Sequence, residues 1–472
     1  MFPSALASLP KTAVLAGCMA GFLACTARGD EFQDLSVSFG TTLRLAGVHQ
    51  FITSNPDGTA INFWTPAFEG APANTIALSN PHIAAADAYG NVYIADKSSH
   101  AILKITADGL VHTFAGTHTA GFNGDGPGLA TDLQIFSPNG LFVFPNGVVY
   151  LLDPGNHRIR RVNTNGIMTT IVNDPEPNWY PSGRALWVSP DEHLIYYTHE
   201  FKPLVVSGVT NLFADGAVVK KWTPSDDIEL VCSKSVGFRN PANLAVNPVD
   251  GKLYVCDRAE EDATKIAPGL FRIDGPDARV RVTGNITQPL AADSQLALNS
   301  YIDGPRGIAF RADGSYFLCG HKEGSVWFVD TAGVLHRYLR GKGSGDTYGL
   351  ADGLHPPLTA VNYFAQPRAV TLAPDGNLLV TCNDSGFVFR VNNASTPDEP
   401  ANVNLTLLGT NGARLNWNGV FGHGYRVERS SALPGSWQPL GAVSGNPYGQ
   451  TQFTDPAPAT YPRGFYRVLP SL

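Results

Sequence analysis

The chain has 472 residues, of which 49 are Gly and 35 are Pro, and only 15% are charged, against roughly 25% in an average domain. The Gly and Pro content excludes a helical bundle, and the 10% of aromatic residues excludes a disordered chain. The net charge of −7 argues against a nucleic-acid partner, because phosphate binding needs a basic surface. We therefore expect an all-β protein of short strands and tight turns, long enough for more than one domain.

Residues 1–27 have the pattern of a secretory signal peptide, because an apolar stretch follows their only charged residue, Lys11. Leu15 to Cys18 also matches the bacterial lipoprotein box, although the apolar stretch before Cys18 is shorter than usual. We expect cleavage after Ala27 and a secreted, periplasmic or cell-surface protein, with a lipid anchor on Cys18 as the alternative. No later segment is long enough to span a membrane, so the mature chain is predicted to have no transmembrane segment.

Two segments, 81–116 and 138–172, repeat one pattern in which apolar residues alternate on either side of tight turns. This pattern predicts a four-stranded antiparallel meander in each segment. The residues that the two segments share at equal positions are Pro81 and Pro138, Gly90 and Gly147, Asp96 and Asp153, and His100 and His157.

Four weaker copies follow at 183–222, 241–284, 305–341 and 367–391. The last copy contains only three strands, and the segment Thr41 to Gly47 resembles the missing fourth one. Stacking of such units in a ring covers both faces of each sheet, and pairing of the two chain ends removes an exposed edge. The sequence therefore predicts a six-bladed β-propeller closed by an N-terminal strand.

The repeat resembles the NHL-repeat propeller family. The resemblance is carried by Pro81, the run Gly-Asn-Val-Tyr-Ile-Ala-Asp that ends at Asp96, His100, and the connector from Ala115 to Thr131. It extends over about residues 34–393 and implies the propeller fold. It leaves the function open, because such propellers include scaffolds, sensors, lyases and lactonases.

The C-terminal part, residues 401–472, is predicted to be a separate small β-sandwich after the Pro-rich linker 394–400. It resembles the fibronectin type III-like domains of bacterial secreted proteins. Its predicted strands are Val403–Leu408, Ala413–Trp417, Tyr425–Ser430, Trp437–Val443, Gln452–Asp455 and Phe465–Leu469. Its aromatic residues are interpreted as core rather than as a sugar-stacking surface, and they are Trp417, Tyr425, Trp437 and Phe453.

The predicted mature chain has four cysteines, too few for a disulfide scaffold. Cys256, Cys319 and Cys382 follow one another at intervals of 63 residues, which indicates buried positions in recurring strands. A bridge between Cys232 and Cys256 is the alternative in an oxidising compartment. No Cys-x-x-Cys pattern occurs, which argues against a cysteine-bound metal.

The histidines and aspartates of the repeat are interpreted as structural. His100 and His157 are expected to bond and pack between neighbouring blades, with a channel metal site as the alternative. Asp96, Asp153 and Asp257 each follow a second strand and are expected to cap the following turn. Calcium binding by these carboxylates is the alternative, and calcium is the one candidate cofactor.

A less routine pattern lies directly after the residue that opens the first strand of each unit. If the first strands line the channel, these side chains lie at one channel mouth, and they are His82, Asn139, Arg184, Ala242, Arg306 and Arg368. Arginine forks pair with carboxylates and sulfates, so the pattern predicts a site for an anion such as a carboxylate, sulfate or acidic sugar. Structural pairing of these arginines with nearby carbonyls or acids is the alternative.

No sequence pattern supports nucleophilic catalysis or phosphate binding, because Gly-x-Ser-x-Gly, Ser-x-x-Lys and phosphate-loop motifs are all missing. No catalytic residue is assigned. The prediction is a monomeric binding or scaffold protein for an extracellular protein, a glycan or an anionic small ligand. The alternative, implied by the resemblance, is a metal-dependent lyase or lactonase with its site in the channel.

Overall fold

The computed structural model describes both predicted β regions in part. The described residues are 42–48, 61–174, 179–180, 185–201, 204–206, 209–211, 218–232, 238, 241–258, 268–276, 278–284, 287–292, 294–340, 366–391, 401–408, 412–418, 424–432, 435–444, 451–455 and 465–471. The predicted signal peptide with Cys18, the linker 394–400 and Arg184 lie outside them. The first described element is strand β1 (Thr42–Ala46), which belongs to the last sheet of the repeat region.

Sheets 1 and 2 are formed by the two segments in which the repeat is clearest. Sheet 1 contains β2 (Pro81–Ala86), β3 (Val92–Asp96), β4 (Ala101–Ile105) and β5 (Val111–Ala115). Sheet 2 contains β7 (Gly140–Val143), β8 (Val149–Asp153), β9 (Arg158–Val162) and β10 (Ile167–Asn173), with β6 (Gly128–Leu129) beside β10. All neighbouring strands are antiparallel, as predicted. The turn glycines Gly90 and Gly147 have φ near 85°, a left-handed conformation that glycine adopts without steric cost.

Sheet 3 differs from its prediction, because the third unit extends beyond residue 222. Its main strands are β12 (Leu186–Val188), β13 (Ile195–Phe201), β16 (Val218–Thr223) and β17 (Asp227–Cys232), with β11 (Trp179–Tyr180) also paired to β13. The hairpin of β14 (Leu204–Val206) and β15 (Val209–Asn211) lies between β13 and β16. This insertion displaces the repeat along the sequence, so the segment predicted to be the last strand is the third one.

Sheets 4, 5 and 6 follow the predicted order of strands. Sheet 4 contains β18 (Pro241–Val246), β19 (Leu253–Asp257), β20 (Gly269–Gly275) and β21 (Ala278–Arg281). Sheet 5 contains β22 (Pro305–Phe310), β23 (Tyr316–Gly320), β24 (Ser325–Val329) and β25 (Leu335–Arg340). Sheet 6 contains β26 (Pro367–Leu372), β27 (Leu378–Cys382) and β28 (Phe387–Val391). Short 3-10 turns lie at Pro66–Phe68, Ala73–Thr75, Lys97–Ser99, Pro154–Asn156 and Ala297–Asn299.

Strand β1 is the fourth strand of sheet 6. It pairs antiparallel with β28, and Thr42 lies opposite Val391. Leu45 is fully buried in an apolar cluster that also contains Leu103 of sheet 1 and Val388 of sheet 6. The predicted pairing between the N-terminal strand and the last unit is therefore present.

The six first strands, β2, β7, β12, β18, β22 and β26, lie next to one another in this order. Each contacts the first strand of the following sheet, and β26 contacts β2. Apolar clusters fill the space between neighbouring sheets, as with Ile102 of sheet 1 and Leu151 of sheet 2. The first strands surround a cavity of about 250 Å³, which we call the channel. The described fold is all-β and propeller-like, and the described residues contain no helix that could cross a membrane.

The C-terminal strands form two three-stranded sheets. One contains β29 (Ala401–Leu407), β30 (Ala413–Asn418) and β33 (Thr451–Asp455), and the other contains β32 (Gln438–Ser444), β31 (Gly424–Ser430) and β34 (Phe465–Ser471). The side chains of Trp417 and Tyr425 are fully buried, and Phe453 packs against them. Trp437 has a different environment, because the Arg467 guanidinium lies 4.3 Å from its ring centre. The predicted strands agree with these bounds to within two residues.

All four cysteines of the predicted mature chain are buried and free, so Cys232 and Cys256 form no bridge. Cys256 and Cys319 occupy equivalent positions, opposite the third residue of their first strands. Cys382 lies one position further along, opposite Pro367. The equal spacing of 63 residues therefore does not mark one structural position.

Candidate ligand-binding site

The residues predicted at the channel mouth are placed there by a shared backbone irregularity. In sheet 1, Pro81 pairs with Asp96 and Ile83 with Ala95, which leaves His82 as the extra residue of a β-bulge. The same shift occurs in sheets 4, 5 and 6, where the extra residues are Ala242, Arg306 and Arg368. A bulge bends its strand and redirects a side chain. The structure thus brings His82, Arg368 and Arg306 to the same end of three adjacent first strands.

The mouth side chains are more enclosed than an open ring of arginines implies. His82, Asn139 and Arg306 are at most 5% exposed. The Arg368 side chain is 12% exposed. Asn139 directly precedes β7, so it takes the equivalent place in sheet 2. A ligand at this mouth would therefore reach only a small part of each of these side chains.

Arg368 is partly held by its own sheet. Its guanidinium donates to the side-chain oxygen of Asn383 and lies 4.0 Å from a carboxylate oxygen of Asp384. The amide nitrogen of Asn383 donates in turn to the side chain of Asn80, which joins sheets 6 and 1. The structural alternative for the arginines thus applies in part to Arg368, through residues that the sequence reasoning had not singled out.

His321 extends this network on sheet 5. Its Nδ1 donates to the carbonyl oxygen of Gln366 at 3.0 Å, because a carbonyl can only accept. Its Nε2 lies 3.5 Å from the Asp384 carboxylate that also faces Arg368. The side chain of Asp384 is 38% exposed, so this carboxylate is open to solvent. An anion at Arg368 would therefore compete with Asp384 for the guanidinium.

Asp96 and Asp153 do not cap the backbone of the turn that follows them, which corrects the prediction for these two residues. The 3-10 turns after Asp96 and Asp153 have no side-chain cap. Asp96 instead accepts the Ser79 N–H at 3.0 Å, and Asp153 accepts the Phe136 N–H at 2.7 Å. Each donor lies two residues before the proline position of the first strand, so the carboxylate fixes the connector that enters its own sheet. Burial raises the pKa of both carboxylates to about 6.

Asp257 and Asp125 each lie close to an arginine side chain. Asp257 lies 3.8 Å from the Arg279 guanidinium. Asp125 pairs with Arg158 at 2.6 Å and accepts the Thr170 hydroxyl at 2.7 Å, which ties the connector to sheet 2. These contacts indicate a structural role for both aspartates.

His100 and His157 occupy equivalent left-handed positions, with φ of 52° and 58°. The Nδ1 of His100 accepts the Ser137 N–H at 3.1 Å, and its ring packs edge-on against Phe136. His100 therefore joins sheet 1 to the start of sheet 2, as the structural interpretation predicted. Burial lowers its pKa. Within the described residues, no three His, Cys, Asp or Glu side chains converge so that they could hold a metal.

The channel below the mouth is lined by apolar side chains from all six sheets, and among them are Ile83, Leu141, Leu186, Leu244, Ile308 and Val370. The polar side chains in this lining are Asn243 and Thr371. Thr371 donates its hydroxyl to the Ala84 carbonyl at 2.6 Å, so this hydroxyl already has an acceptor within the protein. The arrangement is thus a polar mouth next to a cavity whose lining side chains are mostly apolar.

Similar folds occur in solved structures of bacterial proteins. A Bacteroides thetaiotaomicron protein of unknown function has a TM-score of 0.50 and 13% identity, over 74% of this chain and 75% of that one. An auxiliary nutrient binding protein from Bacteroides ovatus has a TM-score of 0.50 and 14% identity, over 74% and 76% of the two chains. A gluconolactonase from Xanthomonas campestris has a TM-score of 0.44 and 16% identity, over 75% and 97%.

No protein-family model matches the chain, and no curated protein matches it either. At these identities, the two structures with a TM-score of 0.50 support the propeller-like fold and carry no statement about a ligand.

Proposed function

We propose that this chain is a secreted binding protein built on a six-bladed propeller of the NHL-repeat type. Sheets 1–6 are its blades within residues 34–393, and β1 closes the ring. The signal peptide 1–27 is removed, and the linker 394–400 leads to the fibronectin type III-like sandwich 401–472. The unbroken order of contacts among the first strands and the pairing of β1 with β28 support this architecture.

The proposed ligand is an extracellular anion, either a small molecule or an acidic group on a protein or glycan. The observation that carries this proposal is the bulge that recurs after the opening proline and brings His82, Arg306 and Arg368 to one mouth. Guanidinium groups bind carboxylates and sulfates through paired hydrogen bonds. Arg184 joins the set through its place in the repeat.

The test is the rise in melting temperature that an anion causes, because a ligand that binds only the folded state stabilises it. Sulfate and citrate should raise the melting temperature of the mature chain. The triple variant R184A/R306A/R368A should lose this rise, whereas R414A, on the exposed surface of β30, should keep it. Retention of the full rise in the triple variant would make the arginines structural. A glycan and protein array without any binding would also count against the proposal.

The alternative is a metal-dependent lyase or lactonase with its site at the same polar mouth. Such an enzyme needs about three convergent protein ligands for its metal. In this reading, part of the ligand set comes from outside the described residues. Metal analysis of the purified protein decides the matter, since no stoichiometric calcium or zinc and no effect of a chelator on melting would exclude it.

A further inference from the structure

The channel wall is asymmetric at one level of the ring. At this level, each first strand contributes the residue that pairs with the second residue of the neighbouring strand in its sheet. These residues are Ala85, Phe142, Trp187, Ala245, Ala309 and Thr371. All six line the cavity. Four are small and two are large aromatics on the adjacent sheets 2 and 3, so the cavity lies against an aromatic wall on one side and small side chains on the other.

The aromatic wall is a packed unit. The rings of Phe142 and Trp187 meet edge to face with centres 6.3 Å apart, and Phe144 packs against Phe142 at 5.2 Å. Phe142 and Trp187 are each partly exposed towards the channel. Edge-to-face packing fixes the orientation of both rings, so the wall presents a preformed apolar surface.

The side chains that line the cavity are nearly all apolar and offer a surface for an apolar group. Water in a cavity needs two to four polar partners, whereas an apolar cavity of roughly 150 Å³ binds benzene. The present cavity measures about 250 Å³, which leaves room for a ring and several further carbons. Asn243 lines it at the level just below the mouth, and its side-chain oxygen accepts the Leu244 N–H at 2.7 Å.

The cavity lies next to the mouth along the first strands. Ile83 lines the cavity and directly follows His82 of the mouth. The aromatic level lies three residues further along the first strands than the mouth residues, which corresponds to roughly 10 Å at 3.3 Å per residue. A small molecule of about this length would span the distance between the arginines and the aromatic wall.

We propose that the channel binds the apolar body of an amphipathic carboxylate, with an aromatic or cyclic aliphatic group against Phe142 and Trp187. The carboxylate end rests on the proposed function, because it uses Arg306 and Arg368 at the mouth. The apolar end rests only on the cavity and its wall. The two parts can therefore fail separately.

The experiment uses isothermal calorimetry on the mature chain with four probes: sulfate, hexanoate, phenylhexanoate and p-cresol. Phenylhexanoate should bind at least about tenfold more tightly than hexanoate, because its ring is buried in the cavity. Equal affinity of the two carboxylates would overturn the proposal. p-Cresol has no anionic end, so its binding tests the cavity alone, and lack of p-cresol binding would also count against it.

Two variants separate the parts. A309L fills the cavity opposite the aromatic wall, so it should abolish the preference for phenylhexanoate and leave the sulfate response unchanged. A442L, at an exposed position on β32, is the matched control and should leave both unchanged. R306A/R368A should lose the sulfate response and retain p-cresol binding. If sulfate has no effect but p-cresol binds and A309L blocks it, the proposed function fails and the apolar site stands. If A309L keeps the wild-type melting temperature and the full preference, the apolar site is wrong.

Discussion

Gly320 and Glu323 together replace an aspartate of the repeat. In sheets 1 and 2, the buried carboxylates of Asp96 and Asp153 accept the N–H of the residue two positions before the opening proline. Sheet 5 has glycine at this position, and the Glu323 carboxylate receives the equivalent backbone hydrogen bond from Asp303. A Cβ on Gly320 would lie 2.5 Å from Oε1 of Glu323, so the loop carboxylate fills the space of the missing side chain.

This exchange predicts a specific pattern of stabilities. E323A should lower the free energy of unfolding by about 1–3 kcal/mol, because the Asp303 N–H and the indole N–H of Trp327 lose their acceptor. G320D alone should also destabilise, since its side chain collides with Glu323. The double variant should be more stable than the sum of the two effects predicts. Chemical denaturation of the four proteins measures this coupling, and simple additivity would contradict the exchange.

The buried carboxyl of Asp96 predicts a contribution to stability that falls as the pH rises. Burial raises the pKa of Asp96 to about 6 from an ordinary value of 3.8. Between these values the folded protein keeps the proton and the unfolded chain has lost it, so unfolding releases a proton and rising pH favours it. The contribution of Asp96 is therefore full below about pH 4 and lost as the pH passes 6.

D96N should remove this titration and flatten the decline in unfolding free energy between pH 4 and 6 by on the order of 2 kcal/mol. Urea denaturation across this range is the measurement. Asp108 provides the control, because hydrogen bonding by Thr106 lowers the pKa of this exposed carboxyl and its contribution has the opposite sign. An unchanged pH profile in D96N would show that Asp96 does not titrate in this window.

The contacts of His100 predict that the stability of the fold depends on both its ring nitrogen and its left-handed backbone conformation. H100A should lower the free energy of unfolding by about 1–3 kcal/mol, because the buried Ser137 N–H loses its acceptor and alanine disfavours a φ of 52°. H100N should cost less, since asparagine tolerates this conformation. Thermal denaturation compares them with H193A, whose side chain is 71% exposed. Equal effects of H100A and H193A would rule out the joining role of His100.

Features of this fold could be predicted from the sequence where they depend on residues that are close together in the chain. Strand order and the pairing of β1 could be predicted because turn glycines such as Gly90 and alternating apolar residues are local signals. The replacement of the repeat aspartate by Gly320 and Glu323 could not be predicted. The Glu323 side chain reaches back three residues from a loop, and an alignment of the strands does not show this. The strand β17 was missed because an inserted hairpin precedes it.

Only part of the candidate site could be predicted from the sequence. His82, Arg306 and Arg368 could be predicted at one mouth because they share a repeat position. No sequence pattern indicates the bulges or the place of Asp384. The aromatic wall could be predicted by comparing, in the six units, the residue three positions after each mouth residue. Phe142 and Trp187 stand out there against alanine and threonine, and only the ring order makes them neighbours.

The pairing of β1 with sheet 6 predicts that the fold depends strongly on one N-terminal side chain. Leu45 is fully buried between sheets 6 and 1, so L45A should lower the free energy of unfolding by about 2–5 kcal/mol through lost apolar contact and a residual cavity. L407A removes the same atoms from a side chain that is 74% exposed on β29 and should change stability by less than about 0.5 kcal/mol. Chemical denaturation of both variants measures the difference. If L45A were as mild as L407A, β1 would contribute little to holding sheets 6 and 1 together.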